Sequence, residues 1–248
     1  MIKRARRILN AKPWITGPLL MCILMAQAWA WWWPAGKTED LPVIIPITVV
    51  QIRGHQPMMC LSLKSGVSAV QKASTYWEQY GIKLKVTGVG VIRNCEMASI
   101  ACDCAGEGEL APIIDEIEKR TGTMVVVLPE RFLELDGTRA PSVAGLASAN
   151  RNGFALASSD WRVAAHEMAH VLCGCYHTYF FQPGNILNSG ISDTNAKKED
   201  IRLTAWQAYW ARQYACELDT KYRRMQKESS DVTTGYKSRL TLIDGACR

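Results

Sequence analysis

Three of the four histidines in this 248-residue chain fall within twelve residues, the stretch HEMAHVLCGCYH at 166–177. On an α-helix, positions i and i+4 lie one turn apart on one face, so His166 and His170 point the same way. Glu167 comes next round the helix, within reach of a water held between them but not itself a ligand. Gly174 is the residue type that lets a chain reverse with positive φ, and His177 returns three residues later. The segment therefore has to be a helix that ends in a tight turn. Three imidazoles around one point, with a fourth position left open, form the donor set of a catalytic zinc ion. The competing reading is a packed helix whose histidines are satisfied by hydrogen bonds. Rival third ligands are Glu199 or Glu217 from a later helix, and Cys173 or Cys175 inside the motif.

Charge excludes one class of partner. The formal net charge is +6, but Lys3, Arg4, Arg6, Arg7 and Lys12 supply five of those charges. The remaining 24 basic and 23 acidic residues nearly cancel, so nothing points to nucleic acid. A hydrophobic content of 48% is ample for a packed core.

The first thirty residues have the layout of a secretory signal peptide: a basic start, the apolar run WITGPLLMCILM, then small residues at Ala26, Ala28 and Ala30. The alternative is an uncleaved anchor through residues 14–33, which are long enough to cross a bilayer and end in Trp31, Trp32 and Trp33. Either reading exports residues 35–248. Outside the leader stand Cys60, Cys95, Cys102, Cys104, Cys173, Cys175, Cys216 and Cys247. That even number suits four disulfides in an oxidising compartment, with 105 possible pairings.

Residues 31–42 read as a linker, 43–228 as one domain and 229–248 as a polar tail. Within the domain, 43–53 is β-branched and strand-like, with Pro46 suggesting an edge position or a bulge. Residues 65–81 read as a helix capped by Ser65 and stopped by Gly81, and 82–89 as a half-buried strand. Residues 95–109 form a cysteine loop. A helix over 110–122, a buried strand over 123–129 and two strands at 142–149 and 153–158 follow. Asp160 caps the helix that carries the histidines. Residues 195–226 are helical, with Ile201, Leu203, Trp206, Tyr209 and Trp210 on one side. Strands and helices alternate up to the motif and helix dominates after it, which predicts a mixed sheet with helices packed on it.

The histidine stretch resembles the metzincin zinc metallopeptidases, whose signature is H-E-x-x-H-x-x-G-x-x-H followed by a Met-turn. His166, Glu167, His170, Gly174 and His177 match in order and type. The run AGLASA at 144–149 is similar to that family's cleft-lining edge strand, and GNILNSG at 184–190 to its Met-turn. Two departures stand out. Gly174 and His177 sit one residue late, so an extra residue lies among Val171, Leu172 and Cys173. Leu187 occupies the methionine position, a swap of near-equal volume that costs under ~1.5 kcal/mol.

The resemblance implies an α+β fold of metzincin type: a twisted mixed β-sheet with packed helices in an upper subdomain and a small, mainly helical lower subdomain. It implies one catalytic Zn2+ on His166, His170 and His177, with Glu167 as general base for a zinc-activated water. It also implies a peptide or protein substrate laid along Gly145, Leu146 and Ala147, Leu187 as packing under the site, and Phe180 and Phe181 near a specificity pocket. The expected activity is that of an exported zinc endopeptidase. The alternative is a secreted binding or inhibitory module that keeps fold and metal without turnover, for which the late third histidine speaks. The oligomeric state is not legible.

Overall fold

The computed structural model of the chain describes residues 42–54, 61–94, 97–101, 108–140, 142–148, 150–174, 176–177, 184–188 and 200–232. Readings that concern the leader, the linker, most of the cysteine loop, Phe180, Phe181, Glu199 and the tail beyond 232 lie outside the described residues. Strands are β1 (Val43–Arg53), β2 (Ile82–Arg93), β3 (Ser99–Ala101), β4 (Met124–Leu128), β5 (Arg131–Leu133), β6 (Gly145–Ala147) and β7 (Gly153–Leu156). Helices are α1 (Leu63–Trp77), α2 (Leu110–Thr121), α3 (Trp161–Cys173) and α4 (Ala205–Val232). None of these helices is long and apolar enough to cross a membrane.

This is a mixed α/β fold with a mostly parallel sheet. The strand order is β2-β1-β4-β7-β6. The first four strands run parallel and β6 pairs antiparallel with β7 at the edge. Parallel neighbours need crossovers: α1 lies between β1 and β2 and α2 between β2 and β4, while β4 reaches β7 by way of β5 and β6. Every residue of β4 is buried, as expected of a strand covered on both faces. On one face Ile45, Ile47, Val126 and Phe154 pack with α1, α3 and α4 in a single core. On the other, Val50, Val125, Val127 and Ala155 meet Ile113, Ile114 and Ile117 of α2. The spacing of those three isoleucines on α2 is a one-sided helical stripe.

Local chemistry sets the boundaries. Ser62, not Ser65, caps α1: its Oγ accepts from the Ser65 N–H at 3.1 Å. Helix α1 ends at Trp77, a short 3-10 turn over Glu78–Tyr80 follows, and Gly81 leaves it with φ 68°. Gly122 closes α2 at φ 60°. β1 is an interior strand, against the edge position that Pro46 suggested. Its pairing with β4 begins only at Ile47, so Pro46 sits where β1 has one neighbour and its missing N–H is tolerated. The bulge that Pro46 also suggested lies one residue on, where the register of β1 on β2 shifts between Ile47 and Thr48 and β2 carries the extra residue Thr87.

The C-terminal part departs most from expectation. Residues 200–204 precede the helix, and α4 carries Trp206, Tyr209 and Trp210 outward. Its buried side is Ala208, Ala211, Ala215, Leu218 and Tyr222. Small alanines let the helix approach β1 and α3 closely, and the bulky rings would not fit there. These alanines join the same core as α1 and α3. Cys216 is free and exposed, so the eight non-leader cysteines cannot all pair with one another as four disulfides. Cys173 is disulfide-bonded, to a partner outside the described residues.

A buried carboxylate ties α2 to α4. Glu118 Oε1 accepts from Asn152 Nδ2 at 2.7 Å, Lys221 Nζ at 2.8 Å and Tyr222 OH at 3.0 Å. Burial, then the neighbouring charge and hydrogen bond of Glu118, push the Tyr222 hydroxyl pKa up, so it stays a donor. Removing the acceptor strands two buried donors. Glu118→Ala is expected to lower stability by about 2–4 kcal/mol in urea titrations, and Glu118→Gln by less.

Candidate metal centre

Asp160 starts α3 by accepting from the Arg162 N–H, and Gly174 ends it at φ 59° with its N–H on the His170 carbonyl. Val171, Leu172 and Cys173 are all helical. The extra residue of the motif is therefore taken up as regular helix, with the reversal postponed to Gly174. No bulge is needed, and the turn still returns His177 to the helix.

The three rings meet. His166 Nε2 lies 3.1 Å from His170 Nε2 and 3.0 Å from His177 Nε2. Among the described residues they form the single group of three metal-capable side chains, with ligand atoms all within 4.8 Å of one another. Two nitrogens on one tetrahedral zinc at 2.0–2.1 Å would stand about 3.3–3.4 Å apart, close to the spacing found. Glu217 is exposed on α4 and outside the group. Cys173, being disulfide-bonded, has no thiolate to offer.

Protonation supports a cation better than a hydrogen-bonded cluster. His166 Nδ1 is 2.6 Å from the Ile186 carbonyl. A carbonyl only accepts, so Nδ1 carries the proton and Nε2 presents a bare lone pair. Burial, then the charge of His170, pull the His166 pKa down to about 3, against the raising effect of the Ile186 bond, and His177 lowers it further. Burial also lowers His177. Neutral rings are the ligand form. One in-plane lone pair takes one good hydrogen bond, and here two other nitrogens crowd it. A cation accepting from all three satisfies the set.

The Ile186 carbonyl is itself held. Asn188 N–H bonds to the Asn185 carbonyl at 3.0 Å, closing a turn over 185–188. The Asn185 side chain accepts from the Leu187 N–H at 2.9 Å and donates to Gln207 Oε1 at 2.8 Å. The Ile186 N–H reaches the Arg202 carbonyl at 3.1 Å. Leu187 is fully buried in the main core, beside Ile186. The sequence reading marked Leu187 but missed Asn185 and Gln207, which nothing in composition or spacing distinguishes from ordinary loop and helix residues.

Glu167 is buried and turns towards β6. A Cβ built on Gly145 would lie 2.6 Å from Glu167 Oε1, so no side chain fits there. Burial drives the Glu167 pKa up to about 8, partly offset by the Ala147 N–H. Ser148 N–H bonds to the Gly153 carbonyl and Ala157 N–H to the Ala144 carbonyl. In an antiparallel ladder this alternation spends the backbone of 144, 146 and 148 on β7 and turns that of Gly145 and Ala147 to the open edge, where the Ala147 N–H meets Glu167. The three residues expected to hold substrate thus form an edge strand with the carboxylate against it.

No protein-family model matches the sequence, and no curated protein is similar to it. A solved chaperone–substrate complex is similar in structure at a TM-score of 0.50 and 14% identity, over 73% of this chain and 35% of that one. The chain thus spans about a third of that protein, and the likeness is one of fold alone. Archaemetzincin from Methanopyrus kandleri aligns over 75% of this chain and all of its own at 14% identity, with a TM-score of 0.34. That is too distant to carry a site across.

In metal-free protein the raised Glu167 pKa sets a pH dependence. The folded state prefers the protonated acid, so stability is present below the ordinary value of 4.5 and is lost as pH rises towards about 8. His166 and His177, both lowered by folding, act in the opposite sense as their unfolded rings lose protons around 6.5, and do so equally in wild type and in Glu167→Gln. Between pH 6.5 and 8 in chelator, the melting temperature of wild type is expected to fall relative to that of Glu167→Gln. Equal slopes would remove the buried carboxylate from the picture.

Proposed function

We propose that the protein is a zinc-dependent peptidase with His166, His170 and His177 as ligands and Glu167 as general base. The observation that carries this reading is the convergence of three Nε2 atoms, one with its lone pair fixed by the Ile186 carbonyl. Bound zinc would supply Lewis acidity and lower the pKa of a water towards ~7.

The remaining steps belong to the chain. Glu167 takes the proton from the attacking water and delivers it to the leaving amine. A carboxylate at pKa about 8 would be mostly protonated at neutral pH, and a cation nearby draws it down to the ionised form the base needs. An extended peptide pairs with the Gly145 backbone and the Ala147 carbonyl at the edge of β6, the Ala147 N–H being held by Glu167, which gives main-chain hydrogen bonds with little side-chain preference. Leu146 points to the opposite core, so Gly145 and Ala147 are the residues on the reactive side. Export, and the tether through residues 14–33, belong to the same proposal and rest on the leader's composition.

Two measurements test it. Purified wild type is expected to hold about one zinc per chain, and His166→Ala little or none. Glu167→Ala is expected to keep the metal and lose cleavage of a generic peptide library by about 10²-fold or more. Zinc retained with equal inertness in both proteins would favour the binding or inhibitory module instead.

The turn that orients His166 generates a separate expectation. Asn185→Ala takes the acceptor from the Leu187 N–H and leaves Gln207 Oε1 to the Thr204 N–H alone, letting the Ile186 carbonyl drift. Zinc affinity in chelator competition is expected to drop about 10- to 100-fold. An unchanged affinity would show that the turn is rigid without the amide.

A further inference from the structure

Helix α4 shows an apolar face to the outside. Trp206, Tyr209 and Trp210 are 53%, 57% and 47% exposed. Their rings lean on one another, with centroids 6.3 Å apart for Trp206–Trp210 and 5.5 Å for Tyr209–Trp210. At 100° per residue they lie on the side of the helix opposite Ala208, Ala211 and Ala215. Among the described residues six large hydrophobic side chains are exposed, and three of them are these. Scattered single exposures are ordinary, whereas a contiguous cluster marks a surface that meets something other than water.

The place of the cluster says what covers it. The Gly81 carbonyl accepts both the Val43 N–H at 2.9 Å and Arg212 Nη1 at 2.7 Å. The start of β1 and the aromatic turns of α4 are therefore bound to one atom. Val43 is where the chain enters the domain. Before it run nine residues, 34–42, which span at most about 30 Å, and before those the twenty residues 14–33, which contain no Asp, Glu, Lys or Arg. Such a stretch is long enough to cross the hydrocarbon layer. Tryptophan and tyrosine favour the headgroup zone because each ring pairs an apolar body with a polar edge.

We propose that the Trp206–Tyr209–Trp210 face of α4 is a bilayer-contact surface, laid on the lipid headgroup layer beside the point where the chain enters the domain. It involves none of the histidine cluster and rests on the proposed tether through residues 14–33, not on the peptidase chemistry.

The test uses the full chain reconstituted in phosphatidylcholine–phosphatidylglycerol vesicles, with ordinary or dibrominated acyl chains. Subtracting the emission of W206F/W210F from that of wild type isolates these two tryptophans from the other seven. That difference emission is expected to lose most of its intensity in brominated vesicles. The corresponding difference for W161F, a partly buried ring packed against Tyr76, is expected to be unaffected. If the double variant does not fold, W206F and W210F are subtracted singly. A Trp206/Trp210 emission equally bright in both vesicle types overturns the proposal, whether water, Trp31–Trp33 or a second copy of the chain covers the face.

Discussion

The bond from His166 Nδ1 to the Ile186 carbonyl is the contact on which the centre depends. A helix can align His166 and His170 by itself. It cannot choose which nitrogen of His166 is protonated. The carbonyl makes that choice, and it belongs to a turn nineteen to twenty-two residues further along the chain. That turn is fixed in its own right, by Asn185 against Gln207 at the start of α4 and by Ile186 against Arg202. Tyr80, in the 3-10 turn that follows α1, accepts the Leu203 N–H on its hydroxyl at 2.8 Å. The segment leading into α4 is thus pinned from the side of α1 as well. Ring orientation at the centre is a product of three helices and one turn.

Much of this was legible in the sequence because periodicity and stop signals are local. Asp160 and Gly174 bound α3 as residue type predicts, and Gly81 and Gly122 mark the two other exits. The all-apolar run at 124–128 announces a strand buried on both faces. What failed was non-local. Pro46 looked like an edge marker because sequence does not say that β4 begins its pairing one residue later. The aromatic residues of α4 read as one side of a helix, but periodicity does not say which side packs, and it is Ala208, Ala211 and Ala215 that join the core. At the site, the histidines and Glu167 were visible through spacing. Asn185 and Gln207 were not, since their importance lies in partners more than twenty positions apart.

The extra residue before Gly174 shows how a motif's spacing can vary without loss of geometry. An insertion inside the i, i+4 pair would rotate one histidine by about 100° and take it off the shared face. Placed after His170, it extends the helix while the ligand pair stays in register. Only the position of the reversal changes, and His177 is carried by the turn, whose path is free to adjust. Cys173, the last helical residue, is held by a disulfide, which fixes where that turn begins.

Glu167 gives the architecture its tension. A carboxylate buried among apolar neighbours opposes folding once it ionises, and a sequence selected for stability alone would replace it. The edge strand accommodates it instead. Gly145 leaves the room, since even a methyl group would overlap Oε1, and the Ala147 N–H gives it a partner. A glycine in a three-residue edge strand weakens pairing with β7, so the strand as well as the acid is less stable than it could be. Both weaknesses fall at one place, where an open sheet edge and a polarisable proton acceptor adjoin three imidazoles. Strand and helix are chemically coupled there: any side chain added at 145 moves the acid, and any peptide that pairs with the edge arrives beside it.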